Sequence, residues 1–189
     1  PKRASNFHHY IIQRSGSIHH LVDVAIFMVT LFVANFLWKW MIHGDNGVPP
    51  QAAIFDAYAR HIASVVYAVV HFFRETLYMV NETTMRFVEG GGTTIVWSCT
   101  PLKQMFIWVC LMLTTPNYKL STFNWNKLWF IPLGLVFIHI VNLARICAIT
   151  AFMEFHPEWF ELLHTYIFKY LFYGLMFLFW VLYIEKVRK

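Results

Sequence analysis

The sequence predicts an all-α fold: a polytopic membrane bundle of about four transmembrane helices, with one interfacial amphipathic helix on the extracytoplasmic side. Three observations carry that expectation. Of the 189 residues, 58% are hydrophobic and 13% charged, with a mean hydropathy of +0.50, which is more apolar surface than one soluble core of this size can bury. Apolar runs at 21–40, 101–115, 128–150 and 165–184 approach the roughly 20 residues needed to cross about 30 Å of hydrocarbon. The 19 Phe, 8 Trp and 9 Tyr are of the kind that fill helix bundles and anchor them at headgroup level.

Taken in order, residues 1–20 are polar and predict a cytoplasmic tail, with no cleavable signal sequence; the first span, Leu21–Trp40, is long enough to remain as an anchor. Residues 52–80 behave differently. Asp56, Arg60, Ser64, Tyr67, His71, Arg74 and Tyr78 recur every three or four residues, the signature of an amphipathic helix. Crossing the bilayer would carry Arg60, His61 and His71 through lipid, at about 3 kcal/mol for each charged group, so this helix is expected in the interface. Glu89–Thr94, with three consecutive glycines near the thiol, reads as an ordinary loop, the lesser alternative being a gating or substrate-contact loop. The second span, Pro101–Thr115, is short and is expected to draw on residues before Cys99 or to tilt little. Leu128–Thr150 and Thr165–Ile184 complete a single integral membrane domain over 1–189.

Orientation follows from Lys and Arg in the short connections. Lys2, Arg3 and Arg14, the loop with Lys119 and Lys127, and the C-terminal Lys186, Arg188 and Lys189 should all be cytoplasmic. The segment 151–163, with Glu154, Glu158 and Glu161, then lies outside, as do Cys99 and the segment 43–50. Counting spans from the two ends agrees only if 52–80 does not cross.

Net charge is +5, but the basic residues sit in the tail and at segment ends, where they set topology. No nucleic-acid motif is present and no nucleic-acid partner is expected. Cys99, Cys110 and Cys147 form no CxxC and suggest neither a disulfide framework nor a zinc knuckle. The doublets His8-His9 and His19-His20 lie in the polar tail, so neither a metal nor a cofactor is expected. The absence of His-Glu-x-x-His and Gly-x-Ser-x-Gly argues against zincin and serine-hydrolase chemistry.

Cys99 stands in Val96-Trp97-Ser98-Cys99-Thr100-Pro101, immediately before an apolar helix. Pro101 suits a first helical position and Thr100 an N-cap. The thiol would then meet unpaired N–H groups and the positive end of a helix dipole, which favour a thiolate and a developing oxyanion. A lone cysteine in a membrane protein is more often a small filler. Arg145, in Asn142-Leu143-Ala144-Arg145-Ile146, falls within about two turns of the outer end of the third span, with Asn142 on the same face. An arginine at that depth either snorkels to the headgroups or faces the bundle interior with a partner there. His164 opens the fourth span. Cys99, Arg145 and His164 thus come to one outer mouth from three consecutive spans, supplying a nucleophile, a charge stabiliser and a base. Glu161 could orient His164, and His156 competes with it as base. His139, in mid-span, is expected to hydrogen-bond within the bundle, and Cys110 and Cys147 to be structural.

The order Cys99, Asn142-x-x-Arg145, His164, each at the outer end of a separate span, resembles the exosortase and archaeosortase family of membrane transpeptidases. The resemblance covers roughly residues 95–174, which would form the catalytic core. Many members have Cys-Ser-Gly at the first motif, where this chain has Cys99-Thr100-Pro101. The resemblance implies Cys99 as nucleophile, with Arg145 and His164 completing the site. It also implies substrates that are surface proteins ending in a recognition motif, a transmembrane sorting-signal helix and a basic cluster, cleaved at the outer face of a prokaryotic cytoplasmic membrane and passed to an acceptor nucleophile. The contrasting expectation is a non-catalytic four-helix binding or assembly protein, in which Cys99 is filler, Arg145 snorkels and His164 is interfacial. A further alternative, a cysteine endopeptidase with its histidine before the cysteine, would use His61 or His71.

Overall fold

The computed structural model describes residues 2–42, 52–115 and 125–188, and these are mostly helical. Five helices follow in order: α1 (Lys2–Met41), α2 (Ala52–Phe73), α3 (Leu102–Thr114), α4 (Trp125–Phe152) and α5 (Phe168–Arg188). Between α2 and α3 the chain forms three short strands, β1 (Leu77–Met79), β2 (Thr84–Phe87) and β3 (Gly92–Thr94). The backbone of the polar segment 2–20 belongs to α1, so the expected tail is helical and continuous with the first span. The segment 43–50, Lys119 and Lys189 of the orientation argument lie outside the described residues, as do the side chains of Lys2, Arg3, Arg14, Lys127 and Arg188.

Four helical stretches are long and apolar enough to cross a membrane: Val22–Met41, Ala53–Phe73, Leu128–Phe152 and Pro157–Lys186. Three match the expected spans at 21–40, 128–150 and 165–184. The expected second span does not. Helix α3 has 13 residues, about 20 Å at 1.5 Å per residue, too short to cross about 30 Å alone. It cannot reach back through Trp97, because Thr100 is extended (φ −74°, ψ 153°) and Pro101 starts the helix afresh. The outward faces of the long helices are apolar: Phe32 is 76% exposed, Trp40 72% and Trp129 72%, with Val136, Ile140, Leu171, Leu178 and Leu182 also exposed. A contiguous surface of that kind suits lipid rather than water.

Contacts fix the relative directions of the helices. Thr30 Oγ1 meets Thr114 Oγ1 at 2.9 Å while Trp38 packs on Phe106, so α1 and α3 are antiparallel. Phe130 meets Tyr183 and Phe137 meets Phe179, so α4 and α5 are antiparallel too. Helix α2 runs with α4: Tyr58 bonds His139 at its start, and Arg74, just past its end, pairs with Glu154. It begins where α1 ends, since Trp38 stacks on Phe55, and continues in the direction α1 was travelling. The helix expected in the plane of the interface therefore stands beside the far half of α4. That placement still does not return the chain to the end from which α1 started.

Among the described residues two large apolar cores result, and a smaller cluster joins Ile149, Met153 and Leu163. One joins α1, α3, α4 and α5 around Trp108, Leu111, Ile138, Met176 and Trp180. Trp108 is fully buried, donates from Nε1 to Ile131 O at 3.3 Å, and lies against Gly134, where a Cβ would fall on its ring. Gly134→Val is expected to push α3 from α4 and to cost about 1–3 kcal/mol by overpacking, read as a lower unfolding temperature of the solubilised protein.

The second core packs α2, through Ile62, Val66 and Val70, against α4 and an antiparallel sheet of order β1-β2-β3. Leu77, Met85 and Phe87 point into it while Tyr78 and Arg86 point out, the period-two pattern of a half-buried sheet. The first turn is held by Asn81, whose Oδ1 accepts from Thr83 N at 3.0 Å and Thr84 N at 2.8 Å. The second uses Gly90 and Gly91 at positive φ, and Gly91 also lies hard against Met153 O, leaving no room for a Cβ. The all-α expectation is thus corrected by a small sheet: the helix expected over 52–80 stops at Phe73, and the expected loop 89–94 is a hairpin turn and an edge strand.

Candidate functional site

Cys99 closes a 3₁₀ turn, Trp97–Cys99, between strand β3 and helix α3. Its N–H donates to Val96 O at 2.8 Å, and the Thr100 N–H to Trp97 O at 3.1 Å. The expected capping is displaced by one residue. Pro101 is the N-cap, its carbonyl accepting from Met105 N at 2.9 Å, and the Thr100 hydroxyl turns back to donate to Trp97 O at 2.6 Å. The amides of Cys99 and Thr100 are thereby occupied, and the N–H groups that α3 leaves without a helical partner are those of Leu102, Lys103 and Gln104.

Helix α4 contributes the next two groups. Asn142, 1% exposed, donates from Nδ2 to Cys99 O at 3.1 Å and so pins the thiol-bearing turn to the helix. Arg145, one turn further on, donates from Nη2 to His164 O at 3.4 Å, while its buried Nε has no partner among the described residues. Its guanidinium lies within electrostatic range of Cys99 and Tyr173.

His164 sits in a π-helical turn, Leu162–Ile167, that leads into α5. Such turns add a residue to the helical repeat, redirect the side chains on them, and are frequent at functional sites. The imidazole stacks on Phe160, ring centroids 5.2 Å apart and planes within 11°.

Cys99, Arg145 and His164 line one cleft, together with Thr93, Thr94 and Phe160, over an apolar floor that includes Ile146 and Ile149. The room inside is about 20 Å³, enough for one water molecule. The three groups expected to converge do so. The supporting residues divide. Asn142 bonds the Cys99 carbonyl but does not line the cleft, Glu161 is exposed and is not among the lining residues, and His156, also absent from the lining, pairs through Nδ1 with Glu158 Oε1 at 3.1 Å. His61 and His71 stack on Tyr58 and Tyr67 and are not among the residues lining the cleft. His139 bonds Tyr58 Oη at 2.8 Å within the bundle, as expected. Cys110 packs in the first core and Cys147 in the second.

Thr93 and Thr94 fall in the stretch expected as an ordinary loop, with substrate contact as the lesser alternative, and Phe160 was not expected at the site. The signal was present. Thr84-Met85-Arg86-Phe87 alternates and is bracketed by Asn81-Glu82-Thr83 and Gly90-Gly91, the pattern of strands joined by tight turns. Chemically, the cleft presents a thiol, a guanidinium with an uncommitted N–H, and an imidazole around a space the size of one water. Compared with known proteins, the chain matches no family model, no curated sequence and no solved structure.

Proposed function

We propose that the chain is an exosortase-like membrane cysteine peptidase or transpeptidase acting at the extracytoplasmic face. The observation that carries this reading is the common cleft of Cys99, Arg145 and His164, whose residues come from three separate elements. In the first half-reaction the Cys99 thiolate attacks a peptide carbonyl carbon near the C-terminal sorting signal. Arg145 and the free N–H groups at the start of α3 stabilise the oxyanion. The C–N bond then breaks, His164 gives its proton to the departing amine, and a thioester remains on Cys99. In the second, an acceptor nucleophile loses its proton to His164, attacks the thioester carbonyl and releases the thiolate; water as acceptor gives plain proteolysis.

Strand β3 offers the substrate a place to lie. Phe87 N donates to Gly91 O and Ile95 N to Thr83 O, so residues 91 and 95 face β2 and, by antiparallel alternation, Gly92 and Thr94 turn their backbone groups to the open edge. An extended peptide added there would pass the cleft, whose wall includes Thr93 and Thr94. Thr94→Pro removes the outward N–H and leaves the backbone bonds to β2 in place, while the Thr94 Oγ1–Thr84 Oγ1 bond at 3.2 Å is lost equally in Thr94→Pro and Thr94→Val. It is expected to lower turnover about tenfold through KM, the loss of one hydrogen bond, whereas Thr94→Val leaves turnover near its starting value.

The test of the reading as a whole is labelling of intact cells by a membrane-impermeant maleimide. Cys99 is expected to react from outside, and more slowly in Arg145→Ala, which removes the cation lining the same cleft. No labelling at Cys99, or an unchanged rate in the variant, would remove the catalytic reading and leave a binding or assembly protein.

A further inference from the structure

Three lysines gather at the same end of the bundle as the cleft. Lys39 lies in the last turn of α1, Lys103 in the first turn of α3 and Lys169 in the first turn of α5, and the Lys103 ammonium is within electrostatic range of the other two. They border one groove of about 470 Å³, whose wall continues down α1 through Met28, Leu31 and Phe32. Among the described residues none of the three forms an ion pair. Like charges brought together repel one another unless a counter-charge joins them. In the orientation expected from the sequence, moreover, this is the end that loop-charge statistics deplete of lysine. Neither solubility nor topology accounts for the cluster.

We infer that this groove binds one anionic phospholipid, its phosphate held between Lys39, Lys103 and Lys169 and an acyl chain laid along Met28, Leu31 and Phe32. Both halves of the groove are needed for that occupant and for no simpler one. A free phosphate would use the basic rim and leave the apolar wall idle; a neutral lipid would do the reverse. The dimensions agree with the assignment. From Lys39 to Met28 the helix descends about 16 Å, close to the depth of one leaflet, half of about 30 Å. Met28 and Phe32 are 62% and 76% exposed, so the wall is open to the chain of a lipid arriving from the bilayer. Lys103 is half-buried, which places one cation at the back of the headgroup site and two at its sides.

The experiment is competitive lipid retention. The full chain is reconstituted in an equimolar mixture of phosphatidylglycerol and phosphatidylcholine, extracted in mild detergent, and its bound lipid counted by native mass spectrometry. One phosphatidylglycerol per chain is expected, in strong preference to phosphatidylcholine. Each of Lys39→Gln, Lys103→Gln and Lys169→Gln should lower that preference about fivefold and the triple variant about a hundredfold, while the triple Lys→Arg variant, which keeps the charge, retains it. Equal retention of the two lipids, or an unchanged preference in the triple Gln variant, would overturn the inference. Displacement of the lipid by excess inorganic phosphate would overturn it as well, assigning the rim to a free anion. Cys99→Ala is expected to retain phosphatidylglycerol unchanged, so failure of this site and failure of the catalytic reading are separable.

Discussion

Cys99→Ala is expected to abolish C-terminal processing of the substrate protein, and Cys99→Ser to lower it by about 10³-fold or more, with the membrane protein itself present at its usual level. A hydroxyl has the shape of the thiol but ionises several pH units higher, so it is a far weaker nucleophile near neutral pH. Loss of the nucleophile removes the covalent step and not merely a contact, so the defect should appear in kcat, with the unprocessed tail accumulating. The readout is mass spectrometry of the substrate's C-terminus in cells of the native host. Unchanged processing in Cys99→Ala would eliminate every mechanism that begins with this sulfur. Asn142 sharpens the comparison. Because it holds the Cys99 carbonyl at 3.1 Å and contributes no reacting atom, Asn142→Ala should lower turnover partially and lower thermal stability with it.

The convergence of Cys99, Arg145 and His164 was legible in the sequence because each residue sits at a boundary that hydropathy marks well: the start of an apolar run, the last turns of a second, the start of a third. What hydropathy could not supply was the shape of 74–99. A helical period of polar residues carries on through Arg74 and Tyr78, so the amphipathic pattern overran the true end of α2 at Phe73. The strands that follow are three or four residues long, too few for a period-two pattern to stand out against a strong helical one. Their turns were the better guide, since Gly91 needs both its positive φ and its missing Cβ to pass Met153 O. The same limit explains α3. Composition marks 101–115 as apolar, but only the extended Thr100 and the new start at Pro101 show that the helix does not borrow residues from the other side of Cys99. Asn142 was noticed as a neighbour of Arg145; its bond to a carbonyl 43 positions earlier in the chain has no local trace in the sequence.

Arg145→Lys is expected to lose about 10²–10³-fold in kcat, nearly as much as Arg145→Ala, with little change in KM. The reason lies in how the guanidinium is divided. One of its nitrogens, Nη2, reaches the His164 carbonyl, and Nε remains buried and uncommitted. A planar fork can tie the π-helical turn to α4 and still aim a donor at an oxyanion, whereas an ammonium at the end of a flexible stem is a single point that must choose between the two. Removal of one oxyanion donor typically costs about 3–4 kcal/mol in the transition state, which sets the expected size. The Lys variant decides between the roles considered for this residue. A cation that only snorkels is served equally well by lysine, whose stem and charge reach the headgroups in the same way, so steady-state kinetics of Arg145→Lys within about twofold of the parent would return Arg145 to the membrane surface and deprive the cleft of its charge stabiliser. A large kcat defect in a variant that keeps the charge and the fold, the latter checked by thermal unfolding, leaves geometry as the cause, and geometry matters here only if a reacting atom occupies the space between Arg145, Cys99 and His164.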